Sequence, residues 1–366
     1  MADVAIIGGG ISALAAAHYL AEKGYTSKIF EAQHKLGGLC ADEMRDGINV
    51  HSYGPHIFHT NSEDAYQFVK CFANKLYRYE HKVQNPEGKP IPFNVDSVED
   101  VRQYHLMALA KDAFESGECT LDELASLSEE HKELAEFIFD KYYRFYTAKQ
   151  WGGMPDKSTL NRVKIRLTND PRYFRDRHQV MPDSYSKLFN NIIAEAAGKI
   201  SYELGAMVEF RDLQMMSGKF DRIICTGRVD RFMGYKFGDL PFLTEKVFDV
   251  RLNMHKYQNV AVVNFTDSHT YTRITEYKHM MENPAQMFKL NKTVIQFEFP
   301  MQCFRHNMPM YPVLNDDSKK LHEKYKKALA KDIPNILYLG RVGNYEYINM
   351  DQAIYKAKEL VYNNFD

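Results

Sequence analysis

The sequence predicts an α/β fold that combines a parallel-sheet domain assembled from discontinuous segments, a helical insertion and an antiparallel β-sheet domain. Three observations lead to this prediction. The chain opens with a strand, a glycine turn and a helix; helix-favouring residues fill 97–146; and β-branched and aromatic residues dominate 247–299. With 366 residues, the chain is long enough for two or three subdomains.

The first forty residues carry the clearest motif. An apolar strand runs into a turn with the spacing G-x-G-x-x-A at Gly8, Gly10 and Ala13, and the alanine-rich stretch 15–21 predicts a helix. Gly8 permits the turn, Gly10 lets the backbone approach a pyrophosphate, and Ala13 lets the helix pack closely on the strand. The first helical turn, which contains Ser12, offers free N–H groups to the anion.

The second predicted strand, 28–30, ends in a carboxylate. Glu31 is placed to accept hydrogen bonds from an adenosine ribose, and Gly37 and Gly38 follow it. This E-x5-G-G pattern resembles flavoproteins that hold FAD rather than NAD. An ordinary βα turn would explain the glycines alone, but the complete set predicts a Rossmann-type FAD-binding domain with Glu31 and Gly38 among the cofactor contacts.

Composition excludes several other classes of protein. The chain has 47 basic and 48 acidic residues, so its net charge of −1 predicts no nucleic-acid partner and no anionic membrane surface. Its five scattered cysteines suggest neither a disulfide framework nor a zinc site, which favours a reducing cytoplasm. No stretch approaches the roughly 20 apolar residues of a membrane span.

A short motif follows the β-hairpin predicted at 42–53. It reads Tyr-Gly-Pro-His-Ile-Phe-His-Thr from Tyr53 to Thr60 and contains His56 and His59. Two histidines at this spacing are compatible with a metal site, but no third ligand is near, so we expect no metal. After the FAD fingerprint, this motif resembles the UDP-galactopyranose mutase family, and further matches extend along nearly the whole chain.

The resemblance implies an isomerase that interconverts the pyranose and furanose forms of a nucleotide-sugar, with reduced FAD as a covalent nucleophile. The donor would be UDP-galactose or a close relative such as UDP-N-acetylgalactosamine or a dTDP-6-deoxyhexose, used for cell-surface polysaccharide synthesis. NAD(P)H or another flavin reductant would activate the enzyme, and a homodimer is expected. Tyr53, His56 and His59 would lie against the flavin, and both histidines are expected to be catalytic.

The helical insertion ends in a run of aromatic residues. Helices are predicted from Ser97 to Phe114, Thr120 to Leu127 and Glu130 to Tyr146. A core stripe is one reading of the aromatic run that follows, but consecutive aromatics cannot all face inward on one helix. Their similarity to the family implies uridine and sugar contacts. The residues so predicted are Tyr142, Tyr143, Tyr146, Thr147 and Trp151.

Gly152, Gly153 and Pro155 predict a hinge for a mobile loop at 151–170. The basic run 162–166 lies inside it, and such a run is usually a solvated face. The resemblance nevertheless assigns Arg166 a catalytic role on the substrate diphosphate, a task that suits a guanidinium.

The second half of the chain adds further expected contacts. We predict a helix at 184–197 and strands at 208–210 and 220–227, followed by the sheet at 247–299. By resemblance, the substrate side includes Tyr185, Asn264, Arg273, Glu298, Tyr311 and Tyr347, although an outward-facing strand carboxylate explains Glu298 nearly as well. The cofactor side includes Val208, Gly340, Arg341, Asn349 and Met350.

The predicted domain boundaries follow these assignments. Segments 1–95, 186–240 and 330–366 form the FAD-binding domain. Segment 96–150 forms the helical domain, with the loop at 151–170. Segments 171–185 and 241–329 form the antiparallel-sheet substrate domain.

The chain departs from the family pattern at Leu39, Leu243, Met310 and Asn349. An arginine is expected at Leu243, and losing a phosphate cation there would weaken binding unless it is compensated. Two alternatives therefore stay open. One is an FAD-dependent oxidoreductase of the amine-oxidase type, and the other is a nucleotide-sugar binding protein without catalysis.

Overall fold

A computed structural model describes residues 3–153 and 157–366 of the chain. The strands of this part are β1 (Val4–Ile7), β2 (Ser27–Glu31), β3 (Asp42–Arg45), β4 (Ile48–His51), β5 (Phe58–Thr60), β6 (Leu76–Arg78), β7 (Val83–Gln84), β8 (Pro90–Ile91), β9 (Glu118–Thr120), β10 (Lys164–Arg166), β11 (His178–Pro182), β12 (Ile200–Leu204), β13 (Arg222–Cys225), β14 (Phe242–Leu252), β15 (Val262–Asn264), β16 (Arg273–Glu276), β17 (Thr293–Gln302), β18 (Tyr311–Pro312) and β19 (Ile336–Tyr338).

The α-helices of the same residues are α1 (Ile11–Glu22), α2 (Glu63–Phe72), α3 (Val101–Ala113), α4 (Leu121–Ala125), α5 (Glu129–Ile138), α6 (Arg144–Trp151), α7 (Tyr185–Glu195), α8 (Phe210–Ser217), α9 (Val229–Phe232), α10 (Pro284–Met287), α11 (Asp316–Asp332), α12 (Gly340–Gly343) and α13 (Met350–Asn364). Within the described ranges, no helix is long and apolar enough to cross a membrane.

A parallel sheet with the strand order β12-β2-β1-β13-β19 confirms the predicted Rossmann-type architecture. Its central strand β1 is buried, because helices cover both faces of the sheet. One apolar core contains side chains of α1, α2, α7 and α13, and the other contains side chains of α8, α9 and α11. Loops at the carboxyl ends of β1, β13 and β19 therefore meet at one edge.

One predicted strand of this domain is wrong. Residues 208–210 do not join the sheet, since β12 ends at Leu204 and Phe210 begins α8. The cause is a reciprocal helix cap: the Glu209 N–H donates to the Asp212 carboxylate at 2.9 Å, and the Glu209 side chain accepts from the N3 backbone. Alternating apolar residues suggested a strand, but the cap starts a helix.

The antiparallel-sheet domain is built on seven strands in the order β18-β14-β17-β16-β15-β7-β8. The long pair β14 and β17 forms its centre, with Leu243 opposite Gln302 and Leu252 opposite Thr293. Two predicted boundaries need correction. Strands β7 and β8 belong to this sheet rather than to the nucleotide domain, whereas β11 pairs with β5 and β6 in a separate three-stranded sheet.

The error about β7 and β8 has a physical cause. Two-residue strands such as β7 and β8 are too short to show an alternating pattern, so only their partners reveal them. Helix α11 also crosses the predicted boundary, because Tyr325 and Leu329 pack under the parallel sheet.

The helical insertion has its own core and clear helix starts. Asp100, Thr120 and Ser128 accept hydrogen bonds from the first turns of α3, α4 and α5. The long helix predicted to end near Tyr146 is instead interrupted by a π-helical turn at Phe139–Tyr143 and then continues as α6. This turn rotates the aromatic run relative to α5.

The predicted hairpin is present as β3 and β4, and Asp46 and Gly47 both have positive φ at its turn. It delivers the histidine-bearing loop to the edge of the parallel sheet.

Candidate active site

A cavity of about 570 Å³ lies at the carboxyl edge of the parallel sheet. Of the residues predicted to hold a cofactor, all except Tyr53 line it. They are Gly8, Gly10, Ser12, Glu31, Gly38, His56, Val208, Gly340, Arg341, Asn349 and Met350. Tyr53 is half-buried beside them, and burial and the Glu31 carboxylate raise the pKa of its hydroxyl.

The first turn is shaped by glycine. Gly8 has a φ of +98°, and a Cβ atom there would lie 2.2 Å from Thr226 Oγ1, so only glycine fits. Helix α1 starts after Gly10, and no side chain caps its first amides. These N–H groups face the cavity at the positive end of the helix, an arrangement that suits a pyrophosphate.

Glu31 is fixed against this turn. Its Oε2 accepts the Gly9 N–H at 2.6 Å, and its Oε1 accepts the Gln33 N–H at 2.7 Å. Burial raises the pKa of the carboxyl, whereas the hydrogen bonds from the backbone lower it. Each oxygen keeps a lone pair for a further donor, so the side chain suits a ribose hydroxyl.

Only one of the two predicted catalytic histidines reaches the cavity. His56 lines it, and its backbone N–H donates to His51 Nδ1 at 2.9 Å. The His56 Nδ1 lies 2.9 Å from the Gly54 carbonyl oxygen and must donate to it, which leaves Nε2 as an acceptor. Burial lowers the pKa of His56 to about 4, so the ring is neutral.

His59 does not line this cavity, which corrects its predicted place beside the flavin. Its Nδ1 bonds the Asp176 carboxylate at 2.9 Å, and its ring stacks on Phe174 with centroids 3.7 Å apart. Because His59 lies in strand β5, three residues beyond His56, the extended backbone turns the two side chains apart.

Arg341 lies between the cavity and a partly exposed group of aromatic side chains around Tyr311 and Tyr347, called the aromatic cleft below. Its guanidinium donates to the Ile348 carbonyl at 2.7 and 3.0 Å and to the Met310 carbonyl at 3.3 Å. It also lies 5.4 Å from the ring of Tyr311 and 5.1 Å from that of Tyr347. Those two rings are stacked, with centroids 5.9 Å apart, and Tyr347 is 52% exposed.

Strand register brings three predicted substrate residues into one row. Asn264 pairs with Arg273, and Arg273 pairs with Glu298, across the neighbouring strands β15, β16 and β17. The Glu298 carboxylate is buried and accepts from Arg273 Nε at 2.7 Å, so the outward-facing alternative is wrong. Asn264 is also buried, and Arg273 is the member of the row that reaches the cleft.

Glu245, which also contacts Arg273, was not predicted from the sequence as a site residue. Glu245 is buried on β14 and accepts from Arg273 Nη2 at 3.2 Å and from Gln150 Nε2 at 3.2 Å. The sequence around Glu245 contains no motif that predicts a functional role, because a single charged residue is ordinary in a strand with alternating polar and apolar side chains. Its place depends on which strand pairs with β14.

The aromatic run of α6 divides into structural and cleft residues. Tyr142 is buried, packs on Phe93 and donates to the Ser97 carbonyl, which corrects its predicted substrate role. The Tyr143 hydroxyl accepts the Phe93 N–H at 3.0 Å and so holds the insertion together.

Tyr146 is half-buried and lies within electrostatic range of Arg273 and both glutamates, hence at the cleft. Thr147 is half-buried, and Trp151 is exposed at the end of α6. Pro155 of the predicted hinge lies outside the described residues.

Two other residues predicted to contact the substrate are buried in this structure. Tyr185 is buried at the start of α7, and its hydroxyl donates to the His56 carbonyl, so it supports the histidine loop. The Arg166 guanidinium is buried and donates to the carbonyls of residues 170, 172 and 173. Arg162, at the start of the same basic run, is exposed.

The arrangement as a whole provides a dinucleotide cavity beside a cleft of aromatic rings and cations. Flat rings can stack on a base or a sugar, and guanidinium groups suit a diphosphate. Among the described residues, no group of three or more His, Cys, Asp or Glu side chains is placed to hold a metal ion.

Comparisons with known proteins agree with this geometry. The family model "UDP-galactopyranose mutase" matches residues 141–347, and the model "NAD(P)-binding Rossmann-like domain" matches residues 6–72. A dTDP-fucopyranose mutase of Escherichia coli is 32% identical over 98% of this chain and 97% of its own length. The chain belongs to the UDP-galactopyranose mutase family.

Another member of this family, the UDP-galactopyranose mutase of Mycoplasma genitalium, is 30% identical over 98% of this chain and 95% of its own length. A crystal structure of reduced UDP-galactopyranose mutase has the same fold, with a TM-score of 0.67 at 14% identity over 99% of this chain and 95% of that chain. The chain is therefore an isomerase of the nucleotide-sugar mutase type.

Proposed function

We propose that this chain interconverts the pyranose and furanose forms of a nucleotide-sugar and that it does so with reduced FAD. The donor is UDP-galactose or a close relative such as a dTDP-6-deoxyhexose. The observation that carries the proposal is the meeting of the dinucleotide cavity and the aromatic cleft at Arg341, with His56 on the cavity wall.

The cavity residues fit the cofactor. The uncapped first turn of α1 would hold the pyrophosphate, Glu31 the ribose, and the loop from Gly340 to Met350 the flavin end. The reduced flavin, when bound, supplies the nucleophile for the anomeric carbon.

The protein itself offers no competing nucleophile at this wall. Cys40 lines the cavity, but burial raises the pKa of its thiol to about 12, so it stays protonated near neutral pH. The neutral His56 ring presents an acceptor nitrogen to the cavity and holds no charge there.

The cleft residues would bind and orient the substrate. Tyr311, Tyr347 and Arg341 lie together where the diphosphate leaving group would be held. We propose Arg162 as the loop cation that would reach them on closure, because its side chain is exposed, whereas Arg166 donates to three backbone carbonyls in this structure. Closure of the loop would exclude water from the reacting sugar.

The relatives support two nucleotide-sugar donors about equally. Relatives named for dTDP-fucopyranose and for UDP-galactopyranose are both about as similar to this chain. Leu243 and Met310 are buried apolar side chains beside Glu245, and the Met310 Sδ accepts the Glu245 N–H at 3.2 Å. This side of the cleft therefore lacks the arginine expected at Leu243.

The proposal includes a cellular setting. Free cysteines suit a reducing compartment such as the cytoplasm, and the family resemblance leads us to propose a homodimer that makes furanose donors for cell-surface polysaccharide. NAD(P)H or another flavin reductant would charge the cofactor.

The test is an anaerobic assay of dithionite-reduced, FAD-loaded protein with UDP-galactopyranose, UDP-N-acetylgalactosamine and dTDP-fucopyranose. Chromatography separates the pyranose from the furanose, and the relative rates name the donor. Failure of folded protein, yellow with bound FAD before reduction and bleached by dithionite, to convert any of the three would contradict the proposal.

A further inference from the structure

A compact charged cluster underlies the aromatic cleft. Arg273 lies opposite Glu298 across β16 and β17, and Glu245 reaches the same face from β14. The guanidinium donates through Nε to Glu298 at 2.7 Å and through Nη2 to Glu245 at 3.2 Å. For Nη1, the described residues provide no hydrogen-bond acceptor, and the Arg273 side chain is 22% exposed.

The cluster contains one cation and two carboxyl groups. The Glu245 and Glu298 side chains are 1% and 0% exposed and lie within hydrogen-bonding distance of each other. Gly54 closes the site, since a Cβ atom there would lie 2.6 Å from one Glu298 oxygen. Two buried carboxylates in contact repel each other, so one guanidinium cannot keep both ionised at low cost.

Within the described residues, Arg273 is the cation that forms an ion pair with each carboxyl group, and a further cation, Arg341, lies beside Tyr311. The other ionisable groups within electrostatic range of the pair include His56, Tyr146, Tyr277 and Tyr311. Burial raises the pKa of each tyrosine and lowers that of His56, so all four are neutral near pH 7. Burial likewise raises the pKa of Glu298, and Arg273 helps to lower that of Glu245.

We propose that Glu245 and Glu298 share one proton, hold Arg273 with Nη1 toward the cleft, and couple nucleotide-sugar binding to uptake of a proton. This inference rests on the proposed function, because the diphosphate of that substrate is the anion that meets Nη1. With one proton the cluster is neutral, whereas with none it carries a net negative charge that repels the diphosphate. Glu245 is thus a positioning residue that sets the charge of the subsite.

The coupling has a definite sign. A bound diphosphate favours the protonated pair, so the complex holds its proton at pH values where the free protein has begun to lose it. The proton comes from solvent. Affinity therefore falls as pH rises through the range in which the free protein loses this proton, by up to about tenfold per pH unit while one proton is taken up.

The experiment uses FAD-loaded full-length protein and isothermal titration with UDP-galactopyranose or dTDP-fucopyranose, whose diphosphate diesters do not titrate near neutral pH. Titrations at pH 6.5 to 8.5, in buffers of different ionisation enthalpy, give both Kd and the number of protons taken up. We expect wild-type protein to take up between zero and one proton on binding, and we expect its affinity for the nucleotide-sugar to fall as pH rises. In Glu245→Gln, one carboxylate faces one guanidinium, so uptake falls to near zero and Kd becomes independent of pH.

Glu298→Gln repeats the test through the other carboxyl, and Glu282→Gln is the matched control, because Glu282 lies exposed in the same part of the chain and pairs with Lys75 outside the cluster. Flavin absorbance and thermal unfolding report whether each variant is folded. Equal pH slopes in wild type and in the folded cluster variants, or no proton uptake by wild type, would overturn the inference. Absence of any nucleotide-sugar binding by wild type would instead contradict the proposed function.

Discussion

Single residues decide how closely the chain approaches a bound dinucleotide. Gly8 combines a positive φ with a space that Thr226 closes, and Glu31 is held against the turn by two backbone N–H groups. Both residues were predictable, because the glycine spacing and the strand-terminal acid are local signals. Glu245 and His51 were not, since a strand partner places the first and a loop contact places the second.

We expect Gly8→Ala to weaken FAD binding and to lower stability by at least about 1–2 kcal/mol, the typical cost of left-handed backbone for a residue with a Cβ atom. The clash with Thr226 Oγ1 adds to that cost. Flavin retention on gel filtration and the midpoint of thermal unfolding measure the two effects. Gly218→Ala is the control, because that position has negative φ and only an ordinary contact at 3.9 Å. Equal behaviour of the two variants would disprove the assigned role of Gly8.

The histidine loop predicts an acid-sensitive fold. Burial lowers the pKa of His51 to about 3 and that of His56 to about 4, from 6.5. The unfolded chain therefore binds more protons than the folded one below pH 6.5, so stability is lost as pH falls from 6.5 toward 4. In that pH window, each histidine lowers the unfolding free energy by about 1.4 kcal/mol for each unit that the pH falls.

His51→Asn tests this slope, since an amide oxygen can still accept the His56 N–H while the titrating ring is gone. We expect a shallower fall of unfolding free energy between pH 6.5 and 4.5, measured by denaturant titration. His105→Asn, at an exposed position of α3, should leave the slope unchanged. If unfolding free energy falls with pH equally steeply in His51→Asn and in wild type, His51 is not held in its neutral form by burial.

At the scale of elements, strongly periodic segments were predicted and composite ones were not. The α1 and α7 helices and strand β17 follow their sequence patterns closely, whereas β14 begins at Phe242, before the sheet predicted at 247–299. The stretch 208–210 was misread because a reciprocal cap outweighed an alternating pattern. The aromatic run was assigned to substrate as a whole, but the π-helical turn directs Tyr142 into the core and leaves Tyr146 at the cleft.

Two arginines in the segment between α6 and β11 are expected to differ in their contribution to stability. Arg166→Ala leaves three backbone carbonyls without their donor, and we expect a loss of about 3 kcal/mol or more with a lower midpoint of thermal unfolding. Arg162→Ala changes an exposed side chain, so stability should stay within about 0.5 kcal/mol.

Activity should separate the same two variants in a different way. Loss of one charge-assisted contact to the diphosphate predicts a fall of about tenfold or more in kcat/KM for Arg162→Ala. A stable Arg166→Ala protein together with a fully active Arg162→Ala protein would reverse the assignment made to these arginines.

At the scale of the whole molecule, the chain assembles its site from distant segments. The cavity wall draws its residues from six segments of the chain, which lie within 7–12, 30–40, 206–208, 226–232, 305–309 and 340–353. The fold class and the family were predictable, because the segments at 7–12, 30–40 and 340–353 carry local signals of their own. The domain boundaries were not, since short strands such as β7 join the antiparallel sheet only through partners far along the chain.

Cofactor removal should therefore loosen the entire parallel-sheet domain. Because FAD would bind the folded chain and not the unfolded one, holding it at about one hundred times its Kd adds about 2.7 kcal/mol of stability. We expect the midpoint of thermal unfolding to fall in deflavinated protein and to recover on adding FAD. Adding NAD at the same concentration is the control, and equal recovery with NAD would contradict the FAD assignment.

The proposed mutase function requires that the enzyme turn over its substrate without net oxidation or reduction of the flavin. Its most direct measurement follows furanose formation and flavin absorbance together, under anaerobic conditions, in oxidised and in reduced wild-type protein supplied with UDP-galactopyranose or dTDP-fucopyranose. We predict that furanose accumulates only with reduced protein and that the flavin is still reduced after many turnovers. Bleaching of the oxidised flavin by substrate, with no furanose formed in either state, would contradict the account and indicate an oxidoreductase.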